Sequence, residues 1–102
     1  MSYWIGVWSG DDHRNYTSNV APMWMLALGG TSLAELADMP TAEAEPLLAA
    51  AVAFMNDPAH EPGFRDMEPS NGWGDFEGAR EVLRWMLGQC RRFPNTTIYI
   101  SH

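Results

Sequence analysis

The sequence predicts one α+β domain in the order β-α-α-α-β, a helical layer packed on a small sheet formed by the N- and C-terminal strands. Three observations carry this expectation. The first residues alternate with period two, and three later segments repeat apolar residues at helical spacing. The chain of 102 residues, 46% of them hydrophobic, is long enough for one core and too short for two.

Tyr3, Ile5 and Val7 fall on one face of a strand over residues 3–9, with Trp4, Gly6 and Trp8 on the other. Gly10-Asp11-Asp12 ends it. A helix is expected from about Val20 to Leu28, with Asn19 or Ser18 as its N-cap, Pro22 in its first turn and Gly29-Gly30 as its stop. Val20, Met23, Trp24, Ala27 and Leu28 form an apolar stripe. Ala21, Met25 and Leu26 make the opposite face apolar too, so this helix is expected to be central or at an interface. Ser32 to Glu35 spell a capping box, implying a short helix or turn as far as Ala37, and Pro40 breaks the chain.

An interior proline costs about 3 kcal/mol, so the next helix should hold Pro46 in its first turn. It then starts near Glu43 and runs to about Asn56, burying Leu47, Leu48, Ala51, Val52 and Met55. Residues 57–74, rich in Pro, Gly, Asn and Asp, read as a long irregular connection, and such connections in small domains are often functional. The last helix is expected from its N-cap Asp75 to about Arg92. Phe76, Ala79, Leu83, Met86 and Cys90 form its seam, and Glu77–Arg80 and Glu81–Arg84 are its surface pairs. Thr96 to Ser101 form the second strand. Trp4, Trp8 and Tyr99 would then share the sheet face away from the helices. Hiding that aromatic patch makes a homodimer through the sheet the economical expectation.

The formal charge is −7, and all six basic residues are Arg. No basic stripe exists to track duplex phosphates or an anionic membrane, so neither partner is expected. A small anionic ligand needs only a few converging Arg and stays open. The lone Cys90 excludes an intramolecular disulfide and suits a reducing compartment. With no leader pattern and no apolar run near the ~20 residues of a membrane span, a cytoplasmic protein is expected.

No catalytic motif, metal set or cofactor motif is present. Asp11-Asp12-His13, His60-Glu61 and His102 read as solvated turns, since neighbouring residues rarely aim at one ion. Two polar stretches are better candidates, both for ligand binding. Asn15, Tyr16, Thr17, Ser18 and Asn19 lie at a helix N-terminus, where free backbone N–H groups attract carboxylate, phosphate or ribose oxygens; capping alone would need only one of them. Asn71-Gly72-Trp73-Gly74 either displays Trp73 for stacking on a planar ligand or tucks it as an anchor. Arg65 and Arg80, with Arg14, are near enough in sequence to add charge.

Taken together the two stretches resemble a family of small phage and prophage proteins of unassigned function. In that family an Asn-x-Thr-x-Asn stretch (here Asn15, Thr17 and Asn19) leads into a helix bearing a Met, here Met23. An Asn-Gly-Trp-Gly turn, here Asn71 to Gly74, opens the last helix, and a short strand follows. The Ala-rich residues 42–53 depart from the pattern. The resemblance implies an accessory protein acting in the host cytoplasm, and by analogy a counter-defence role. The leading expectation is a non-enzymatic binder that sequesters a nucleotide-derived host immune signal. Asn15, Tyr16, Thr17, Asn19 and Asn71 would make its polar contacts, Trp73 would stack, and Arg65 and Arg80 would supply charge. The alternative is an acidic inhibitor or adaptor of a host protein, using the Trp4/Trp8 face. A small hydrolase built on Asp11, Asp12 and His13 is the third reading.

Overall fold

In a computed structural model, residues 2–10 and 12–102 are described. Asp11, one of the residues weighed for metal and hydrolytic chemistry, lies outside them. Strand β1 (Ser2–Val7) follows the period-two reading: Tyr3, Ile5 and Val7 are buried, whereas Trp4 and Trp8 face outward. It pairs antiparallel with β3 (Ile98–Ser101), through Trp4↔Ser101 to Val7↔Ile98. The sheet has three strands rather than two, in the order β2-β1-β3. The additional strand, β2 (His13–Thr17), returns antiparallel along β1 from Gly6↔His13 to Ser2↔Thr17. Its five side chains are almost all polar, so it has no hydrophobic alternation to announce it. As an edge strand it needs only one buried face contact, which Tyr16 supplies.

A 3-10 turn at Ser18–Val20 follows, with Thr17 rather than Asn19 or Ser18 as its cap: Asn19 N–H donates to Thr17 Oγ1 at 3.3 Å. Helix α1 is only seven residues long, Ala21–Ala27. Met23, Trp24 and Ala27 are buried, and Met25 and Leu26 remain exposed, so the helix is half-embedded rather than central. Trp24 Nε1 donates to the carbonyl of Ala79 at 3.0 Å, which satisfies the one polar atom of the largest core side chain. The capping box forms as expected, with Ser32 N–H donating to Glu35 Oε2 and Ala34 N–H to Ser32 Oγ.

Helix α2 (Thr41–Asn56) begins two residues before the expected start and holds Pro46 inside rather than in the first turn. The early start is fixed by tertiary contacts. Thr41 N–H donates to Thr96 O at 2.8 Å, and Thr41 Oγ1 donates to Phe93 O at 2.6 Å. Pro46 is on the exposed side, where solvent can reach the carbonyl it leaves unbonded. Leu48, Ala51, Val52 and Met55 are buried as expected, but Leu47 is exposed.

The connection after α2 is not irregular throughout. Residues Glu61–Asp66 form helix α3, with Pro62 in its first turn and Phe64 buried. Helix α4 (Phe76–Arg92) is capped by Asp75, whose carboxylate accepts from Gly78 N–H at 2.7 Å. Its buried seam of Phe76, Ala79, Leu83, Met86 and Cys90 packs with α2 and the inner face of β1. Among the described residues no helix is long and apolar enough to cross a membrane.

Candidate functional site

The two polar stretches meet, although Tyr16 and Asp75 are 59 residues apart. Asp75 N–H donates to Tyr16 Oη at 3.2 Å. Gly74 has φ +96°, and a Cβ there would lie 2.6 Å from Thr17 Cγ2 and 2.8 Å from Val20 Cγ1. A Cβ on Gly78 would overlap Tyr16 Oη outright and come within 2.6 Å of Cζ. At Gly74 and Gly78 the meeting is therefore close packing. Burial in this contact pushes the Tyr16 hydroxyl above its ordinary pKa.

The remaining predicted ligand residues are placed as follows. Asn15 stands on the outer sheet face, where its Nδ2 donates to Ser2 Oγ at 2.9 Å and to Tyr3 O at 3.2 Å. Asn19 is exposed. Asn71 Oδ1 accepts from Trp73 N–H at 2.9 Å, an Asx turn that leaves the indole 65% exposed. Trp73 is thus displayed rather than tucked, but outside the Tyr16–Gly78 contact. Arg65 staples α3 to α4: its Nη1 donates to Glu77 Oε2 at 2.7 Å, its Nη2 bonds Glu77 Oε1, and Glu68 lies 3.3 Å from Nη1. The bidentate pair holds the Glu77 carboxyl below its usual pKa range and raises that of Arg65. Glu77 therefore pairs with Arg65, not with Arg80. The guanidinium of Arg80 instead lies 5.0 Å over the Phe76 ring, with Nε buried and making no hydrogen bond. Glu81–Arg84 pairs as expected, at 2.8 Å.

The structure concentrates exposed aromatic surface elsewhere. On the outer face of the sheet, Trp4, Trp8, His13 and Tyr99 line a concavity of about 470 Å³. The strand register explains it. Gly6 sits between Trp4 and Trp8 on that face of β1, with His13 opposite it on β2 and Tyr99 opposite it on β3. Lacking a side chain, Gly6 lets the His13 ring close over the strand, since a Cβ there would come 2.7 Å from His13 Cδ2. Tyr99 stands edge-on to both flanking rings, 4.9 Å from Trp8 at 78° and 5.2 Å from His13 at 84°. Near-perpendicular rings form the walls of a trough rather than a stack. Trp4 is 51% and Trp8 60% exposed, so both indoles are open to contact.

Reading the sequence identified Trp4, Trp8 and Tyr99 as one face, but not His13 as the fourth wall. The signal that was missing is β2, whose pairing alone brings His13 beside Gly6. His13 thus stands beside the Tyr99 ring, and among the described residues no group of three His, Cys, Asp or Glu is placed to hold a metal ion. Cys90 is buried on the α4 seam, and burial raises its thiol to about 11, the behaviour of an inert core thiol rather than a nucleophile.

Comparison with family models, with curated proteins and with solved structures returns no match for this chain.

Proposed function

We propose that this protein is a non-enzymatic binding protein that recognises another protein through the outer face of its sheet, as an inhibitor or adaptor. The observation that carries this reading is the trough of Trp4, Trp8, His13 and Tyr99, exposed on three hydrogen-bonded strands. Trp and Tyr on a rigid platform are the side chains that dominate protein interfaces, because each buries a large area at little entropic cost. In the phage setting suggested by the sequence resemblance, the partner is a host protein and the outcome is counter-defence. A buried free thiol suits the reducing host cytoplasm.

Sequestration of a nucleotide-derived signal is the second reading, favoured by the same rings as stacking platforms. It lacks a cation for the phosphate. Arg65, Arg84 and Arg91 are paired with carboxylates, while Arg14, Arg80 and Arg92 lie over Trp85, Phe76 and Phe93. None of the six lines the trough. Protein recognition is therefore the better fit.

The test uses the wild type, Trp8→Ala and Trp73→Ala as bait in host lysate, with calorimetric titrations of cyclic dinucleotides and ADP-ribose in parallel. One stoichiometric protein partner, kept by Trp73→Ala and lost by a folded Trp8→Ala, is the expected result. Saturable nucleotide binding that Trp8→Ala or Trp73→Ala removes would replace this reading with the nucleotide one. A wild type that self-associates through Trp8 and captures no partner would make the face a dimer interface.

A further inference from the structure

Resting on the reading of the sheet face as a recognition surface, we propose that the trough is a cation site. It takes the guanidinium or ammonium group of a basic side chain from the partner. The rings argue for this chemistry. An aromatic face carries negative quadrupole potential, and several rings set around one cavity concentrate it, so a cation is attracted where a neutral group of the same shape is not. Here three such rings, Trp4, Trp8 and Tyr99, line one concavity together with the His13 imidazole, and Trp8 and His13 stand nearly perpendicular to Tyr99. The protein's own arginines use the same contact elsewhere: Arg14 lies 5.2 Å over Trp85, and Arg92 lies 5.1 Å over Phe93. At the trough the rings have no such internal cation, because its lining contains no Arg and the chain has no Lys.

Charge complementarity selects the occupant. A formal charge of −7 draws basic segments toward the molecule and repels anionic ones. Long-range attraction delivers the segment, and the trough supplies a discrete seat for one of its side chains. A second copy of this chain is a poorer occupant, since its surface carries the same acidic excess. The Ser2–Asn15 hydrogen bond lies beside Trp4 on the same face, since Asn15 is the cross-strand partner of Trp4. A basic side chain leaving the trough on that side would meet neutral polar groups rather than a like charge.

The probe is a short arginine-containing peptide, compared with its citrulline isostere, which keeps the planar shape but removes the charge and exchanges one nitrogen donor for a carbonyl acceptor. Binding is followed by NMR on the indole N–H signals of Trp4 and Trp8, with Trp73 as internal control. The arginine peptide should shift Trp4 and Trp8 but not Trp73, and should bind about tenfold more tightly than the citrulline peptide. Trp8→Ala, which leaves the net charge unchanged, should abolish the effect at Trp4. His13→Arg, which places a fixed positive charge in the wall, should abolish it too while the fold persists. Equal binding of the two peptides at the trough would overturn the cation inference and leave protein recognition intact. Arginine binding that survives Trp8→Ala would show general attraction to the acidic surface and also overturn it. No shift at Trp4 or Trp8, with concentration-dependent self-association instead, would overturn both readings.

Discussion

Substituting Gly78 by Ala should destabilise the protein, against the ordinary preference of helices. In an unobstructed helix interior, Gly→Ala stabilises by up to about 1 kcal/mol. At Gly78 the new Cβ meets the Tyr16 hydroxyl and Cζ, with Asp75 Oδ1 at 3.0 Å. Tyr16 is half-buried, packed toward Trp24 at 6.3 Å between centroids, and its hydroxyl accepts from Asp75 N–H. It can only move by giving up that bond and opening the contact between β2 and α4. Overpacking of this kind costs about 1–3 kcal/mol and the lost hydrogen bond about 1 kcal/mol, so a net loss of about 1–3 kcal/mol is expected. In thermal unfolding each kcal/mol corresponds to about 4–8 °C for a domain of this size. Gly88, twelve residues short of the chain's hundredth and on the same helix, is the internal control: a Cβ there meets nothing within 4 Å, and Gly88→Ala should be neutral to stabilising. A double-mutant cycle with Tyr16→Ala should return a coupling of about 1–3 kcal/mol, because removing the ring removes the obstacle. If Gly78→Ala stabilises as much as Gly88→Ala, the interlock between the two polar stretches does not exist in solution.

Two further outcomes are expected. The folded pKa of Glu77 is depressed by Arg65, so its contribution is present above the ordinary Glu value of about 4.3 and lost as pH falls through the folded value. Urea midpoints measured across that range should fall less steeply for Arg65→Gln than for the wild type, and parallel acid limbs would contradict the pairing. Cys90, with its thiol near 11, should have about one thiolate in a thousand at pH ~8 and react with a thiol reagent only as the protein unfolds. Stoichiometric labelling of the native protein within minutes would contradict its burial.

How much of this was legible in the residues varied with the strength of their patterns. The alternation of Tyr3, Ile5 and Val7, the Ser32–Glu35 capping box and the α4 seam each had one dominant physical cause, and each formed as read. The α+β class followed from them. Strand β2 had no such signal, because it half-buries only Tyr16 and Thr17 at the sheet edge and hydrogen-bonds through a backbone that sequence does not display. The start of α2 depended on Thr41 reaching Phe93 and Thr96, contacts more than fifty residues distant. Helix α3 was obscured by Pro62 and Gly63, which suggest a loop unless Phe64 is known to be buried.

The candidate site was legible in half. Grouping Trp4, Trp8 and Tyr99 on one face needed only period two, whereas adding His13 and its packing over Gly6 needed the register of all three strands. The two polar stretches carried a real signal with a different meaning. They come together, and where they meet Thr17 packs against Gly74 and Tyr16 against Gly78. Arg65 likewise has its charge spent on Glu77.

The most direct measurement is site-specific photo-crosslinking in living cells, with a photoreactive phenylalanine replacing Trp8 in one variant and Trp73 in another. The Trp8 probe should give a single heterologous protein adduct, mapped by mass spectrometry to a segment containing Arg or Lys, and the Trp73 probe should not. Adducts to the same partner from Trp73 but not from Trp8, or adducts from Trp8 only to a second copy of this chain, would contradict a recognition role for the sheet face.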